Sequence, residues 1–223
     1  MDIDKAINDR ISVRAYLERP VEKAVVEEIL NLAIKAPSWG NTQPWELAVV
    51  GGQAKTELTR ELQNLVMQGT TPNPDYTMPN NFTGVYMDRY RMTGKRLFEL
   101  AGIARDDATA RMNQFVSMFN GFGAPCLVYI IMDEILDTSY SVFDAGAVAN
   151  YIALLATSRG LGTCLMAALA MYPDPVRKCL NLPSSKKIVL GLSLGYPDPD
   201  SPVNRLKTDR EELCRILTWR GMD

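Results

Sequence analysis

Two short stretches of the chain place basic residues at alternate positions. In Arg10-Ile11-Ser12-Val13-Arg14, the residues Arg10, Ser12 and Arg14 are spaced by two. An extended backbone would point all three side chains to one face. Two guanidinium forks and a hydroxyl on one face form a grip for a phosphate dianion. The same pattern also suits the solvated edge of a strand. Near the other end, Pro202-Val203-Asn204-Arg205-Leu206-Lys207 repeats the alternation with Arg205 and Lys207. A phosphate could take charge from both segments; the alternative is surface charge ahead of an ordinary helix.

The stretch Pro37-Ser38-Trp39-Gly40-Asn41-Thr42-Gln43-Pro44-Trp45 is a polar turn between two prolines. Its amides carry both donors and acceptors, so it could read the edge of a flat heterocycle, or be a structural turn with Trp in the core. Gly160-Leu161-Gly162-Thr163 reads as a helix stop. It lacks the third glycine and the preceding strand of a dinucleotide fingerprint, so neither a Rossmann nucleotide site nor a Walker A loop is supported. Asp144 reads as an acidic residue at the start of a helix, favoured by the helix dipole. Met118, Phe119, Phe122 and Tyr129 read as core.

Absences narrow the chemistry further. The sequence holds no histidine, which removes Ser-His-Asp and Cys-His nucleophiles and the commonest metal ligand. Its cysteines, Cys126, Cys164, Cys179 and Cys214, form no C-x-x-C pair, so zinc is not expected and free, buried thiols are. Chemistry in such a chain would come from a cofactor. Lys and Arg total 24 against 26 Asp and Glu, a net charge of −2, which does not suggest a nucleic-acid surface. No run reaches the length of a membrane span, and the acidic start lacks an apolar signal core. A cytoplasmic protein is expected.

These residues must be held by elements that the apolar periodicity outlines. Helices are expected over 2–10, from Pro20 to about Ala36, after Gly52 to about Met67, over 85–104 and 106–119, over 142–159, and from Pro173. Strands are expected at Trp45–Val50, Cys126–Met132, near Thr163 and at Ile188–Leu194. A last helix is expected from Thr208, with Thr208 and Glu211 as a capping box. The 69–84 stretch, rich in Thr, Pro, Asn and Gly, is the longest loop and a lid candidate. Within a single domain over 1–223, residues 69–120 form a helical excursion. Helix 142–159 is apolar nearly all round, so it would be buried on several sides, or by a second subunit. Strands parted by helices mean α+β or α/β.

Taken in order, Arg10-x-Ser-x-Arg14, Ala36-Pro-Ser-Trp-Gly-Asn-Thr-Gln-Pro-Trp45, Gly123-Ala-Pro-Cys126, Asp144-x-Gly146-x-x-x-Asn150, Gly160-Leu-Gly-Thr-Cys164, Gly191-x-x-x-Gly195-Tyr-Pro197 and Pro202-Val-Asn-Arg205 resemble the nitroreductase family of FMN flavoproteins. The resemblance runs along nearly the whole chain. Tyr90 to Asp107 and Pro202-Val-Asn-Arg205 look similar to the branch with nitrobenzoate-type reductases.

The resemblance implies an α+β fold with a central mixed or antiparallel sheet flanked by helices, in an intertwined homodimer with FMN at the interface. Arg10, Ser12, Arg14, Arg205 and Lys207 would hold the phosphate. Pro37, Ser38, Trp39, Asn41 and Gln43 would meet the isoalloxazine, in part from the other subunit. Leu165, Met166 and Ala167 would run past the ring, with a backbone N–H near flavin N5. Some relatives carry an acid where Ala167 aligns, so no side chain here is expected to be catalytic. The implied activity is ping-pong reduction of nitroaromatics, quinones or similar small electron-poor acceptors by NADH or NADPH. Tyr76, Phe82, Tyr86 and Tyr90 would stack substrate under the lid, or simply pack. Rival readings are a flavin-dependent reductive dehalogenase, with Asp88 and Lys95 as its clamp, and a non-catalytic flavin carrier.

Overall fold

The structure, a computed structural model, describes residues 2–79, 81–136 and 138–222. Its middle is strand β2, Cys126–Asp133, where the first seven positions are buried. A short unbroken apolar run is what a strand covered on both faces requires. β2 pairs antiparallel with β1 (Trp45–Gly51) on one side and β4 (Lys186–Gly195) on the other. β3 (Gly162–Met166) adds to the outer side of β4, giving the order β1-β2-β4-β3. The pairing is antiparallel throughout, so of the mixed and antiparallel alternatives the sheet takes the second. The parallel contact that remains is a bridge between Ser12 and Thr163, outside the named strands.

Alternate side chains of β2 feed two cores, as the two-residue period of a strand demands. Val128, Ile130 and Met132 pack with Ile29 of α2 (Lys23–Ala33) and with Val148 and Ile152 of α6 (Ser139–Ser158). Leu127, Tyr129 and Ile131 pack with Leu58 and Leu62 of α3 (Gly52–Met67) and Val176 of α7 (Pro173–Leu180). Phe119 and Tyr129 are fully buried as expected, with Met118 and Phe122 partly buried beside them. The remaining helices are α1 (Ile3–Asp9), α4 (Gly84–Leu100), α5 (Ala108–Ser117) and the short α8 (Leu213–Ile216).

Several expectations need correction. α2 begins at Lys23, because Glu22 is still extended, so Pro20 precedes the helix rather than opening it. α6 begins at Ser139, capped by Thr138, whose side chain accepts the Ser141 N–H. Asp144 therefore lies inside α6, past its first turn. One face of α6 is buried, but Tyr140, Phe143 and Tyr151 face outward. The capping box at Thr208 does not form. Glu211 is drawn to Arg89 and Asp209 to Arg96, both on α4, which keeps this stretch non-helical until Leu213. Cys126 and Cys164 are buried, whereas Cys179 at the surface of α7 and Cys214 in the tail are exposed. Of the expected lid loop, Asn80 lies outside the described residues.

Candidate active site

Arg10 leaves α1 in extended backbone. Ser12 then bridges Thr163, and the Val13 N–H donates to Thr163 O at 2.9 Å. This lays Arg10–Arg14 along the free edge of β3. Gly162 makes the approach possible. A Cβ there would overlap Val13 Cγ2 and stand 2.8 Å from Pro197 Cγ. The two glycines of Gly160-Leu161-Gly162 thus do different things. Gly160, at φ +75°, stops α6 in left-handed backbone, while Gly162 admits the basic segment.

All three side chains of that segment bear on the Cys164 thiol: the charge of Arg14, the Ser12 side chain and the charge of Arg10 each favour its ionised form. Burial nevertheless pushes the Cys164 thiol up, and the nearby cations only partly offset this. Arg14 Nη1 also donates to Ser12 O at 3.0 Å. Arg10, Ser12 and Arg14 are all half-buried, so a ligand would meet them partly desolvated, where charge-assisted hydrogen bonds are stronger.

The second basic segment is tied to the first by one amide. Asn204 Oδ1 accepts the N–H of Arg14 at 2.8 Å and of Ala15 at 3.2 Å. Its Nδ2 donates to Ala15 O at 2.8 Å and Asp198 O at 2.9 Å. Asn204 belongs to the 3-10 turn Pro202–Arg205, so the turn that ends in Arg205 is joined, through Asn204, to a backbone 190 positions earlier. Arg205 ends a turn rather than lying in extended chain, as the alternation would have it. Leu206 is buried and extended, and leaves Arg205 and Lys207 exposed on either side. Neither has a hydrogen-bonded or ion-paired partner among the described residues.

β3 is an edge strand beyond which the Arg10–Arg14 segment stops short. In an antiparallel pair, alternate residues turn their N–H and C=O away from the partner strand. Thr163 turns its carbonyl outward to Val13, so Leu165, two residues on, turns its backbone outward as well. Leu165 is exposed, Met166 goes into the core, and Ala167 starts a 3-10 turn, Ala167–Ala170. Leu165 and the backbone there are open to a ligand at this edge, and Ala167 is half-buried.

The amide turn is built apart from these groups. Gly40, Asn41 and Gln43 all adopt positive φ, at 55°, 58° and 47°, a conformation costly for the last two. Two side chains hold it: Ser38 Oγ accepts the Gln43 N–H at 3.0 Å, and Asp144 Oδ2 accepts the Trp39 N–H at 3.0 Å. Trp39 is exposed, as are Pro37, Asn41 and Gln43, while Ser38 is half-buried. Trp45, by contrast, is core. Among the described residues, no hydrogen bond, ion pair or ring contact joins this turn to Arg10–Arg14, Arg205 or Leu165 within the chain. Asn204 and Asp144 are the positioning residues that sequence reading did not assign. Their signal was only that each stands in a stretch already marked as unusual.

Of the lid aromatics, Tyr76 packs against the core of α2 and α6. Phe82 and Tyr90 form a ring pair at 5.8 Å, and Tyr86 and Tyr90 are exposed. Lys95 Nζ lies 3.8 Å from Glu99 on the exposed face of α4.

The sequence profile of the nitroreductase family matches residues 7–196. The chain belongs to the nitroreductase family. It is similar to the 4-nitrobenzoate reductase of Pseudomonas putida, 32% identical over 222 residues that cover 100% of this chain and 97% of that one. It is similar to the nitrobenzene nitroreductase of Ectopseudomonas oleovorans, 33% identical over 97% of this chain and 96% of the relative. Among solved structures, the FMN and NADPH-dependent nitroreductase NfnB from sphigopyxis sp. strain HMH superposes with a TM-score of 0.95 over 100% of both chains at 32% identity. This nitroreductase family member therefore shares the fold of that structure.

Proposed function

We propose that the chain is an FMN-dependent oxidoreductase that takes hydride from NADH or NADPH and reduces nitroaromatics, quinones or similar small electron-poor acceptors. The observation that carries this reading is the Asn204 clamp, which joins the turn that ends in Arg205 to the backbone of Arg14 and Ala15 near the open edge of β3. The residues fit the cofactor. Half-buried cations and a hydroxyl match a phosphate monoester, and an unpaired strand edge at Leu165 offers a backbone N–H for a flat ring. FMN, when bound, supplies the hydride-accepting atom and the electrons for the acceptor.

The chain's own work is to bind, orient and enclose. Arg10, Arg14 and Arg205 neutralise the phosphate, with Lys207 beside them, and Ser12 completes the grip. Leu165, Met166 and Ala167 line the ring edge through backbone, with no acidic side chain at Ala167. Pro37, Ser38, Trp39, Asn41 and Gln43 serve the ring of the second subunit's site, since the turn stands apart from its own chain's basic cluster. Exposed Tyr140 and Phe143 on α6, Ile3 and Ile7 on α1, and Ile216 and Trp219 in the tail support a homodimer built on these surfaces. Residues 69–120 supply the lid of a single domain over 1–223. The loop is anchored by Asn73 N–H to Met171 O at 3.2 Å, and Tyr86 and Tyr90 offer aromatic faces to the acceptor.

Among the described residues no helix is long and apolar enough to cross a membrane. A cytoplasmic location suits thiols that form no disulfide. The test is the visible spectrum of the purified protein before and after anaerobic NADH or NADPH. Bound yellow flavin that bleaches on addition is the expected result. A colourless protein that FMN does not reconstitute would overturn the reading. Bound flavin that neither nicotinamide bleaches would leave a flavin carrier.

A further inference from the structure

Most surface helices are kept in place by a packed apolar face, but α4 has no buried residue. Among the named elements it packs chiefly on the Pro202–Arg205 turn. At its last turn, Arg111 of α5 stands over the Phe98 ring at 4.3 Å. Upstream of that, its charged ties are to the tail. Arg96 Nη1 donates to Asp209 Oδ2 at 2.7 Å, and Arg89 pairs with Glu211. These two ties lie about 10 Å apart along α4, at 1.5 Å rise per residue. Tyr86 and Tyr90 ride on the same helix.

The tail that ties α4 down continues the segment assigned to the flavin phosphate. Asn204 clamps the turn, Arg205 ends it, and Asp209 and Glu211 follow shortly after Lys207. Arg96, Glu99 and Leu100 of α4 line one cleft with Arg205, Leu206 and Lys207. Three cations therefore face one another there. Glu99 is met by Lys95 Nζ at 3.8 Å, and Asp209 by Arg96. Like charges so placed repel, which pushes Arg96, and α4 with it, away from the tail. A phosphate dianion on Arg205 and Lys207 cancels that repulsion and leaves the pull of Asp209 and Glu211 unopposed.

We propose that FMN binding and the seating of α4 are coupled through this strap, so that the helix carrying Tyr86 and Tyr90 settles once the flavin phosphate is in place. The proposal rests on the flavin reading above. Arg89, Arg96, Asp209 and Glu211 are positioning residues that act through the tail. Coupling between two events is reciprocal. If the phosphate seats the helix, the seated helix holds the flavin more tightly by the same factor.

The strap predicts the opposite sign to a plain charge effect. Asp209→Asn with Glu211→Gln removes two negative charges near the phosphate cations, which by itself would tighten FMN; breaking the strap loosens it. Arg89→Gln cuts the strap at its far end, about a Debye length from Arg96 at 0.1 M salt. FMN release from the loaded protein is followed by the rise in flavin fluorescence on dilution. Hydrogen exchange of α4 is followed by mass spectrometry with FMN in excess. An exposed ion pair is worth up to about fivefold. Release should therefore quicken about threefold to tenfold in the double variant and about twofold to fivefold in Arg89→Gln, with α4 exchanging faster in both. Slower release from the double variant, with Arg89→Gln unchanged, would mean charge alone and overturn the proposal. Faster exchange of α4 at an unchanged release rate would overturn it too, since a strap coupled to the flavin cannot loosen alone. So would unchanged exchange in both variants. A colourless protein that FMN does not reconstitute would instead sink the functional reading, and this coupling with it.

Discussion

Asp144 Oδ2, buried in the second turn of α6, accepts the backbone N–H of Trp39 at 3.0 Å and so fixes a turn that lies 105 positions earlier. The turn has three left-handed residues close together, which persist only when the surroundings hold them. Asp144→Ala removes that hold. A hydrogen bond to a charged group contributes about 1.5–3 kcal/mol, and we expect FMN affinity to fall about tenfold or more, since 1.4 kcal/mol is one decade. Asp144→Asn keeps an acceptor oxygen and should recover most of the loss. Flavin fluorescence titration of the three proteins decides it. Equal affinities would mean that the turn holds its shape without Asp144.

Asn204→Ala should loosen the grip without dismantling the fold. It deletes four hydrogen bonds, two of them accepted from the N–H groups of Arg14 and Ala15. At about 1 kcal/mol each, with solvent replacing part of them, the stability loss should be about 2–3 kcal/mol. Urea unfolding measures it. Arg205 would lose its fixed distance from Arg14, so retention of FMN on dialysis should drop together with stability. Full retention would detach Arg205 from the phosphate.

How far the sequence foretold this can be judged residue by residue. Arg10, Ser12 and Arg14 were legible because a two-residue spacing in extended chain has one geometric meaning, and the bridge to Thr163 supplies that extension. The Cys126–Asp133 strand was legible from its apolar run alone. Asp144 was misread because a local rule, acid near a helix start, fitted it; its true partner is fixed only by how α6 packs. The capping box at Thr208 failed for the same reason. Glu211 and Asp209 would have capped a helix locally, but Arg89 and Arg96 compete for both carboxylates. Asn204 left no periodic trace, because a single amide joining two distant loops has none to leave.

Gly162→Ala should harm the site more than its size suggests. The added methyl would overlap Val13 Cγ2 and crowd Pro197, and overpacking of this kind costs about 1–3 kcal/mol. Relief must come from Val13 moving off β3, which carries Ser12 and Arg14 with it. We expect a fall in Tm of about 2–4 °C per kcal/mol lost, with flavin content reduced in the purified protein. A variant that melts lower but keeps a full complement of FMN would show that the segment adjusts without shifting the grip.

Asp75→Ala tests the anchor of the lid. Asp75 receives Arg177 through both oxygens, at 2.8 and 3.0 Å, and accepts the Ile188 N–H at 2.8 Å. Their side chains are only 6% and 14% exposed. Removing the acid leaves the mostly buried guanidinium with only the exposed Asp174 carboxylate at 3.5 Å and the Lys186 carbonyl at 3.5 Å, so the loss should approach the about 3–5 kcal/mol that breaking a buried pair costs. Replacing both partners, as Asp75→Leu with Arg177→Met, should recover much of that. Urea midpoints of the single and double variants measure the difference. A single variant as stable as the wild type would show that water reaches Arg177 readily.

The strap of the tail on α4 should open in acid. The Arg89 hydrogen bond holds the Glu211 carboxyl below its ordinary value, helped by the Glu212 N–H and the charge of Arg215. A carboxyl depressed in the folded state adds stability that is complete above its unfolded pKa, about 4.3. That stability is lost as pH falls through the folded value. The Arg89–Glu211 contact should therefore be intact from neutrality to about pH 5 and weaken below about pH 4.3. Hydrogen exchange of Leu213–Ile216, corrected for intrinsic rates, should show protection at pH 7 that fades toward pH 4. In Arg89→Gln the protection should be low at both values, because Glu211 no longer has its main partner. Protection that is equal at both pH values in the wild type would mean that the tail is held by something other than this carboxylate.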